Sequence, residues 1–182
     1  MDRALAGDLD AFETLVGRHY GVVRRVAERI VGPSNADDVA QDALLRAFHR
    51  LGQFRRESTF RSWLLRIAHN AALTVLERER SRQGDDRDQT FELEAHSSAD
   101  RTPVDQLEFA ERRDRLAGKL RLLSPAHRTV LVLRDLEGLS YEEIAVATET
   151  PLGSVKGRLH RARRELIDLL RANTYDWELP QA

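Results

Sequence analysis

Two neighbouring stretches decide the fold of this chain: Leu139-Ser140-Tyr141-Glu142-Glu143-Ile144 and Leu152-Gly153-Ser154-Val155-Lys156-Gly157-Arg158-Leu159-His160-Arg161-Ala162-Arg163. In the first, the Ser140 hydroxyl can accept from the backbone N–H of Glu143 while the Glu143 carboxylate bonds back to Ser140, which is a capping box. Leu139 and Ile144 have the spacing of a hydrophobic staple. The first stretch therefore predicts a helix that begins near Tyr141.

The second stretch predicts another helix with two different faces. Pro151 lacks an N–H, so it suits either the turn or the start of this helix. Apolar residues at spacings of three and four form one stripe: Leu152, Val155, Leu159, Ala162, Leu166 and Leu169. The other face is basic, and no acid lies between Glu149 and Glu165. Two helices joined by such a short turn predict a helix-turn-helix.

The basic face of the second helix indicates DNA binding. Arg and Lys neutralise phosphates, and Arg also pairs bidentately with guanine in the major groove. A solvated basic face on an ordinary helix is the alternative, but the capped preceding helix and the short turn favour DNA. The candidate contact residues are Ser154, Lys156, Gly157, Arg158, His160, Arg161 and Arg164.

Charge is distributed unevenly along the 182 residues, although the net charge is only −1. Residues 81–110 contain 3 Arg and 8 Asp or Glu, a local charge of −5, and they lack helical periodicity. Residues 1–80 have 13 basic and 11 acidic side chains, and residues 111–172 have 13 and 9. We therefore predict an all-α protein: two small helical domains, 1–80 and 111–172, joined by an acidic flexible linker and followed by a tail, 173–182, without an assigned role.

Several function classes are disfavoured by composition. The chain has no cysteine, and its 6 histidines are scattered without ligand spacing, so we expect no disulfide, metal centre or cofactor. No apolar run reaches the roughly 18 residues of a membrane span, and the first residues lack the pattern of a signal peptide. These features predict a cytoplasmic protein that does not contact a membrane.

Helical periodicity also extends through residues 1–80. It predicts a helix over 10–31, a second capped by Asn35 and ending near Arg50, and a long third helix capped by Ser58 and ending near Arg80. Trp63 falls on the apolar stripe of the third helix, where a large aromatic is usually part of the core.

A similar helix is predicted ahead of the helix-turn-helix. The run 129–133 alone would suit a strand, but the length between the cap Ser124 and the terminator Gly138 favours a helix.

Taken together, the motifs resemble those of the extracytoplasmic-function sigma factors, small two-domain members of the sigma-70 family. Residues 36–47 resemble the family's core-binding helix, and residues 54–70 its promoter-melting segment. Residues 123–125, 138–145 and 153–163 resemble its second domain and recognition helix. The order and spacing of these motifs across nearly the whole chain make the resemblance specific.

The resemblance implies a promoter-specificity subunit that binds core RNA polymerase at its clamp and flap, recognises two promoter elements and helps to melt DNA. The second domain would then read the minus-thirty-five element. It also implies a regulatory anti-sigma factor, and neither catalysis nor a small-molecule substrate. The core-binding residues would be Asp37, Asp38, Gln41, Asp42, Leu45 and Arg46. The minus-ten residues would be Phe54, Arg55, Arg56, Ser58, Phe60, Arg61, Trp63, Arg66 and Asn70.

Two other functions stay open on the sequence. One is a DNA-binding activator or repressor whose first domain senses a ligand or a phosphoryl group, although such a sensor needs a pocket or strands that the sequence does not predict. The other is a nucleic-acid enzyme that uses Asp37, Asp38 and Asp42 as a metal-binding cluster. Their position near a helix start explains these acids without a metal.

Overall fold

The structure, a computed structural model, describes residues 1–82, 112 and 115–172. These residues form helices and connecting turns with no β-strand, as the all-α prediction requires. Within these ranges no helix is both long enough and apolar enough to cross a bilayer. Most of the predicted linker and the whole tail 173–182 lie outside the described residues.

The first helical unit contains four α-helices and one short 3-10 helix. A helix at the N-terminus was not predicted, and α2 begins at Leu9 because the Asp8 carboxylate accepts from the backbone N–H of Ala11 at 3.0 Å. The elements are α1 (Asp2–Leu5), α2 (Leu9–Val31), α3 (Pro33–Arg50), the 3-10 helix (Leu51–Gln53) and α4 (Phe60–Arg82).

Two predicted helix caps were wrong. Helix α3 begins at Pro33, because Gly32 adopts φ 94° and Pro33 fits the first helical turn. Asn35 lies inside the helix, and its side-chain amide donates to Glu79 of α4 at 2.8 Å. At α4, the hydroxyl of Thr59 rather than Ser58 accepts from the backbone N–H of Ser62 at 3.1 Å.

The second unit contains the predicted helix-turn-helix. It consists of α5 (helical residues 115–122), α6 (Pro125–Leu131) continued by a π-helical turn (Val132–Leu136), α7 (Tyr141–Ala147) and α8 (Leu152–Arg171). The run 129–133 is helical, Ser124 caps α6, and Gly138 breaks the chain at φ 71°. These three features agree with the sequence-based predictions.

The capping box at α7 is also confirmed. The Ser140 hydroxyl accepts from the Glu143 N–H at 3.1 Å, and the Glu143 carboxylate accepts from the Ser140 N–H at 2.9 Å. Leu139 and Ile144, the predicted staple, are both fully buried.

The two units pack against each other through α4 and α7, with further contacts from α2 to α6. Arg128 of α6 fastens this packing: its buried guanidinium donates to the carbonyl oxygens of Leu120, Arg121 and Leu123 in its own unit and of Ile30 in α2. Burial lowers the pKa of Arg128 to about 10, so the side chain remains charged at neutral pH. Arg128 thereby fixes the second unit to α2, while α7 packs against α4.

Candidate nucleic-acid interface

The basic face of α8 is positioned by a buried apolar stripe on the opposite side. Val155, Leu159 and Ala162 are almost completely buried, whereas Leu152 is 36% exposed and so contributes little to the stripe. The predicted contact residues that face solvent are Ser154, Lys156, His160, Arg161 and Arg164, and Gly157 and Arg158 are half-buried. A helix with this exposed basic face can enter a DNA groove without rearranging its own core.

Two arginines of α8 are held by their own unit. Arg163 makes a two-pronged ion pair with Asp135, at 3.1 Å from Nε and 2.5 Å from Nη2. The hydrogen bond from Asp135 raises the pKa of Arg163. Arg158 donates to the Thr150 hydroxyl at 3.4 Å. These contacts brace α8, whereas Arg161 and Arg164 are exposed and make no ion pair with the described residues.

The loop before α4 packs as a cluster of aromatic side chains. The Phe54 ring lies 5.2 Å from Trp63 and 5.9 Å from Phe60, measured between centroids. Phe54 is buried, while Phe60 and Trp63 are half-buried. A cleft of about 910 Å³ lies beside this cluster and includes Phe54, Trp63 and Asn70 in its lining.

The remaining predicted loop residues lie at the surface around the cleft. Arg55 and Arg56 are exposed and Ser58 is half-buried. Arg56 has a positive φ of 61° and pairs with Asp2 at the start of α1. This contact fixes the loop to the N-terminal helix.

Three polar residues of α4 that were predicted to contact DNA bond instead to the second unit. Arg61 donates to the backbone carbonyl oxygen of Glu137 at 2.8 Å. Arg66 donates to the Glu149 carboxylate at 2.6 Å, and the Asn70 amide contacts the same oxygen at 3.5 Å. The hydrogen bond from Arg66 lowers the pKa of Glu149. The polar face of α4 formed by Arg61, Arg66 and Asn70 is thus bonded to the second unit.

His69 lies buried on the same helix, and no hydrogen bond reaches its Nδ1. Burial lowers the pKa of His69 to about 4, and the nearby charge of Arg158 acts in the same direction. Glu149 opposes this shift only in part. The imidazole is therefore neutral at physiological pH.

The predicted core-binding residues lie along α3. Asp37, Asp38, Gln41 and Leu45 are exposed, and the Leu45 side chain is 62% exposed. Asp42 and Arg46 form an ion pair at 2.8 Å. Phe48, one turn further and 43% exposed, was missed by the sequence reasoning, although its spacing of three from Leu45 was a usable signal.

The three aspartates of α3 do not converge on a metal site. Asp37 accepts from Arg24 Nε at 2.8 Å and from the Tyr20 hydroxyl at 3.2 Å, whereas Asp42 faces Arg46. No group of three or more acidic or histidine side chains within the described ranges could hold a metal ion. The structure therefore gives no support to the metal-dependent enzyme.

The most important residues that sequence reasoning missed are acids of the second unit. The Glu137 side chain is only 4% exposed and pairs with Arg29 at 2.6 Å and with Arg25 at 3.4 Å. Glu149 adopts φ 50°, a left-handed conformation that is uncommon outside glycine. Glu143 accepts from Ser62 at 3.1 Å in addition to its role in the capping box. Nothing in the local sequence distinguishes Glu137 and Glu149 from surface acids, and the capping box of Glu143 does not predict its contact with Ser62.

Comparison with known families finds two matches that follow the two helical units. The family model for Sigma-70 region 2 matches residues 15–82, and the model for Sigma-70, region 4 matches residues 113–166.

Curated relatives match over almost the whole chain. The RNA polymerase sigma-H factor of Pseudomonas aeruginosa is 37% identical over 175 residues, which cover 92% of this chain and 90% of the relative. The ECF RNA polymerase sigma-E factor of Escherichia coli K12 is 34% identical over 173 residues, with coverage of 92% and 90%.

Two solved structures have a similar arrangement. CnrH, solved in complex with the cytosolic domain of CnrY, gives a TM-score of 0.68 at 30% identity, covering 94% of this chain and 95% of that one. The sigma factor RpoE, solved with the anti-sigma factor NepR from Bartonella quintana, gives a TM-score of 0.71 over 90% of this chain and 98% of that one. At 23% identity, the RpoE match concerns the fold alone.

Proposed function

Because this chain belongs to the extracytoplasmic-function group of the sigma-70 family, we propose that it directs core RNA polymerase to promoters by reading a minus-ten and a minus-thirty-five element. The observation that carries this proposal is that the region 2 and region 4 matches fall on the two helical units in chain order. A protein that acts at chromosomal promoters functions in the cytoplasm.

In this proposal α3 is the surface that binds the polymerase clamp. Leu45 is a large apolar side chain that is 62% exposed, and Asp38 and Gln41 are exposed on the same helix. Mixed surfaces with an exposed apolar centre suit a protein partner. Phe48 extends the apolar part of that surface toward the end of α3.

The first unit would also capture a base from the melted minus-ten element. Pulling a base out of the stack costs a few kcal/mol, which stacking and hydrogen bonds in a pocket offset. The cleft beside Phe54 and Trp63 provides aromatic surface and the Asn70 amide. Arg55, Arg61 and Arg66 would neutralise phosphates of the same strand.

The second unit would read the minus-thirty-five element through α8. Lys156, His160, Arg161 and Arg164 are exposed on one side of the helix, so phosphate and base contacts are both within reach. Arg163 pairs with Asp135 and would hold α8 in place.

The function is tested by run-off transcription with core polymerase on a genomic promoter library. We expect specific transcripts that share two elements, and none with core polymerase alone. Failure to bind core polymerase together with failure to support transcription from any promoter would overturn the proposal.

The clamp surface is tested separately by Leu45→Arg. Because Leu45 is exposed, the substitution should leave the fold intact while binding to the isolated clamp helices of the large polymerase subunit falls about tenfold or more, since a charge then enters an apolar contact. The matched control is Leu122→Arg, a leucine of the second unit that is 64% exposed. Equal loss in both variants would contradict a clamp site on α3.

We further propose control by an anti-sigma factor, since the related CnrH was solved with the cytosolic domain of CnrY. A protein that copurifies with this chain from its own cells should, once purified, stop run-off transcription when it is added back. A copurifying protein that leaves transcription unchanged is not that regulator, and the proposal fails if none inhibits.

We propose that the protein acts by binding alone and is not an enzyme. The divergence of Asp37 and Asp42 toward separate arginines supports this. Cleavage of DNA by the purified protein that depends on a divalent metal and is abolished by Asp38→Ala would contradict it.

A further inference from the structure

The contacts between the two units place carboxylates where the proposed minus-ten strand would place phosphates. Glu137 lies between Arg25, Arg29 and Arg61, with its nearest oxygens at 3.4, 2.6 and 3.8 Å. Its side chain is 4% exposed, so these guanidinium groups enclose it. Arg25 and Arg29 hold the carboxylate by charge-assisted hydrogen bonds. Arg61, the proposed DNA contact of the three, donates to the backbone carbonyl oxygen of Glu137 at 2.8 Å.

A second acid covers the other part of the same face. Glu149 accepts from Arg66 at 2.6 Å and lies within 3.5 Å of the Asn70 amide. Together, Glu137 and Glu149 contact three of the residues proposed to hold the minus-ten strand: Arg61, Arg66 and Asn70.

The second unit also lines the cleft proposed for the flipped base. Its lining combines Phe54, Trp63 and Asn70 of the first unit with Ala145, Val146 and Glu149 of the second. A DNA phosphate can pair with Arg66 in place of Glu149 only if the Arg66–Glu149 hydrogen bond breaks. DNA binding at Arg66 and Asn70 therefore competes with the packing of Glu149 against α4.

We propose that this closed arrangement is a self-inhibited state, in which Glu137 and Glu149 act as internal substitutes for DNA phosphates and must leave α4 before minus-ten DNA binds. This inference rests on the function proposed above. It adds that the isolated chain is inhibited by its own second unit, before any regulatory protein acts.

The size of the effect follows from the population of the open form. The apparent affinity of a ligand falls in proportion to the competent fraction, so a chain that is open about one tenth of the time binds about tenfold more weakly than an open one. Salt screens exposed ion pairs such as Arg66–Glu149 more than enclosed ones. Glu137 is therefore the stronger of the two contacts.

The test measures binding of a fluorescent single-stranded minus-ten oligonucleotide to the purified full chain without polymerase. Its sequence is taken from the promoters found by run-off transcription. The double variant Glu137→Gln with Glu149→Gln should bind this DNA about tenfold more tightly than the wild type. Fluorescence transfer between dyes on the two units should fall at the same time.

Removing two negative charges would by itself favour DNA binding, so a charge-matched control is needed. Glu142→Gln with Asp168→Asn removes two acids of the second unit whose side chains make no hydrogen bond or ion pair to the described residues of the first unit. This control should change affinity by less than about threefold, since exposed charges that do not contact α4 are largely screened.

Arg29→Gln gives an independent test with the opposite change in charge. Arg29 pairs with Glu137 from α2 and is not one of the proposed DNA contacts. General electrostatics predicts weaker DNA binding after loss of a positive charge, whereas release of Glu137 predicts tighter binding.

Unchanged or weaker DNA binding by both the double variant and Arg29→Gln would overturn self-inhibition. So would equal gains in the double variant and its charge-matched control. Transcription with core polymerase tests the function itself. If the wild-type protein supports transcription but none of these variants gains DNA affinity, the self-inhibited state is rejected and the sigma function stands.

Discussion

The polar faces of α4 and α8 have similar residues but opposite availability. On α8, Arg161 and Arg164 face solvent, and the acid nearest in sequence, Glu165, is held by His127 at 2.5 Å. On α4, Arg61 and Arg66 are bonded to the other unit. A basic helix face indicates what a surface can bind, whereas tertiary packing decides whether that surface is free to bind.

The largest expected effect comes from removing an apolar side chain that supports the exposed basic face of α8. Leu159→Ala removes a fully buried side chain behind the basic surface of α8, and we expect a loss of about 3 kcal/mol in the free energy of unfolding. Urea denaturation checks this value, with Ile167→Ala on the exposed side of α8 as control. Equal losses in the two variants would show that the stripe does not anchor α8.

A change of pH acts on the covered face through His69. Its pKa is about 4 in the folded chain, below the ordinary value of 6.5. Between these values the unfolded chain binds a proton that the folded chain does not, so the free energy of unfolding rises with pH. We expect acidification from pH 8 to pH 5 to cost about 2 kcal/mol through this group.

Urea denaturation of the wild type and His69→Gln at both pH values measures this term. The variant should lose about 2 kcal/mol less on acidification, because glutamine does not titrate. The same pH dependence in both proteins would mean that His69 is not kept neutral by burial.

The next prediction compares two arginines of α8. Arg161→Ala should weaken minus-thirty-five-dependent transcription about tenfold, near 1.4 kcal/mol, because it removes an exposed DNA contact. Binding to core polymerase should stay nearly unchanged. Arg163→Ala should have the smaller effect on DNA, because its guanidinium pairs with Asp135. Equal effects of the two variants on transcription would contradict the assignment of DNA contact to Arg161 and of a structural ion pair to Arg163.

The smallest expected effect on stability concerns Gly157, in the middle of the basic face of α8. A Cβ at this position would lie 3.6 Å from Nη1 of Arg161, an ordinary contact, so Gly157→Ala should raise stability by up to about 1 kcal/mol. If the glycine allows close approach to a sugar-phosphate, the same variant should weaken DNA binding. Thermal denaturation and DNA titration together check this, and tighter binding would exclude the close approach.

Most of the fold could be predicted from the sequence, because its signals are local. The helix starting at Tyr141, the cap Ser124 and the stop at Gly138 each depend on residues within a few positions of one another. The two wrong caps, Asn35 and Ser58, had suitable side chains. In each case a neighbouring residue sets the start of the helix instead. Helix α3 begins at Pro33 because the proline ring suits the first turn, and the Thr59 hydroxyl caps α4 because it reaches the N–H of Ser62.

The candidate site was predicted less completely than the fold. The sequence identified the basic face of α8, the loop around Phe54 and the acids of α3, and their roles stay predictions. It did not identify the acids that cover α4. Glu137 and Glu149 follow helices and have no local pattern that separates them from ordinary solvated acids.

The sequence by itself determined the longer helices, their order and the basic face of α8, since caps and periodicity act between residues three or four positions apart. Only the tertiary structure decided which of those faces is free. Arg25 and Glu137 are 112 residues apart, and Arg66 and Glu149 are 83 apart. Such contacts depend on how the two units pack, because the free energy of an ion pair is gained only when folding brings its partners within a few ångströms.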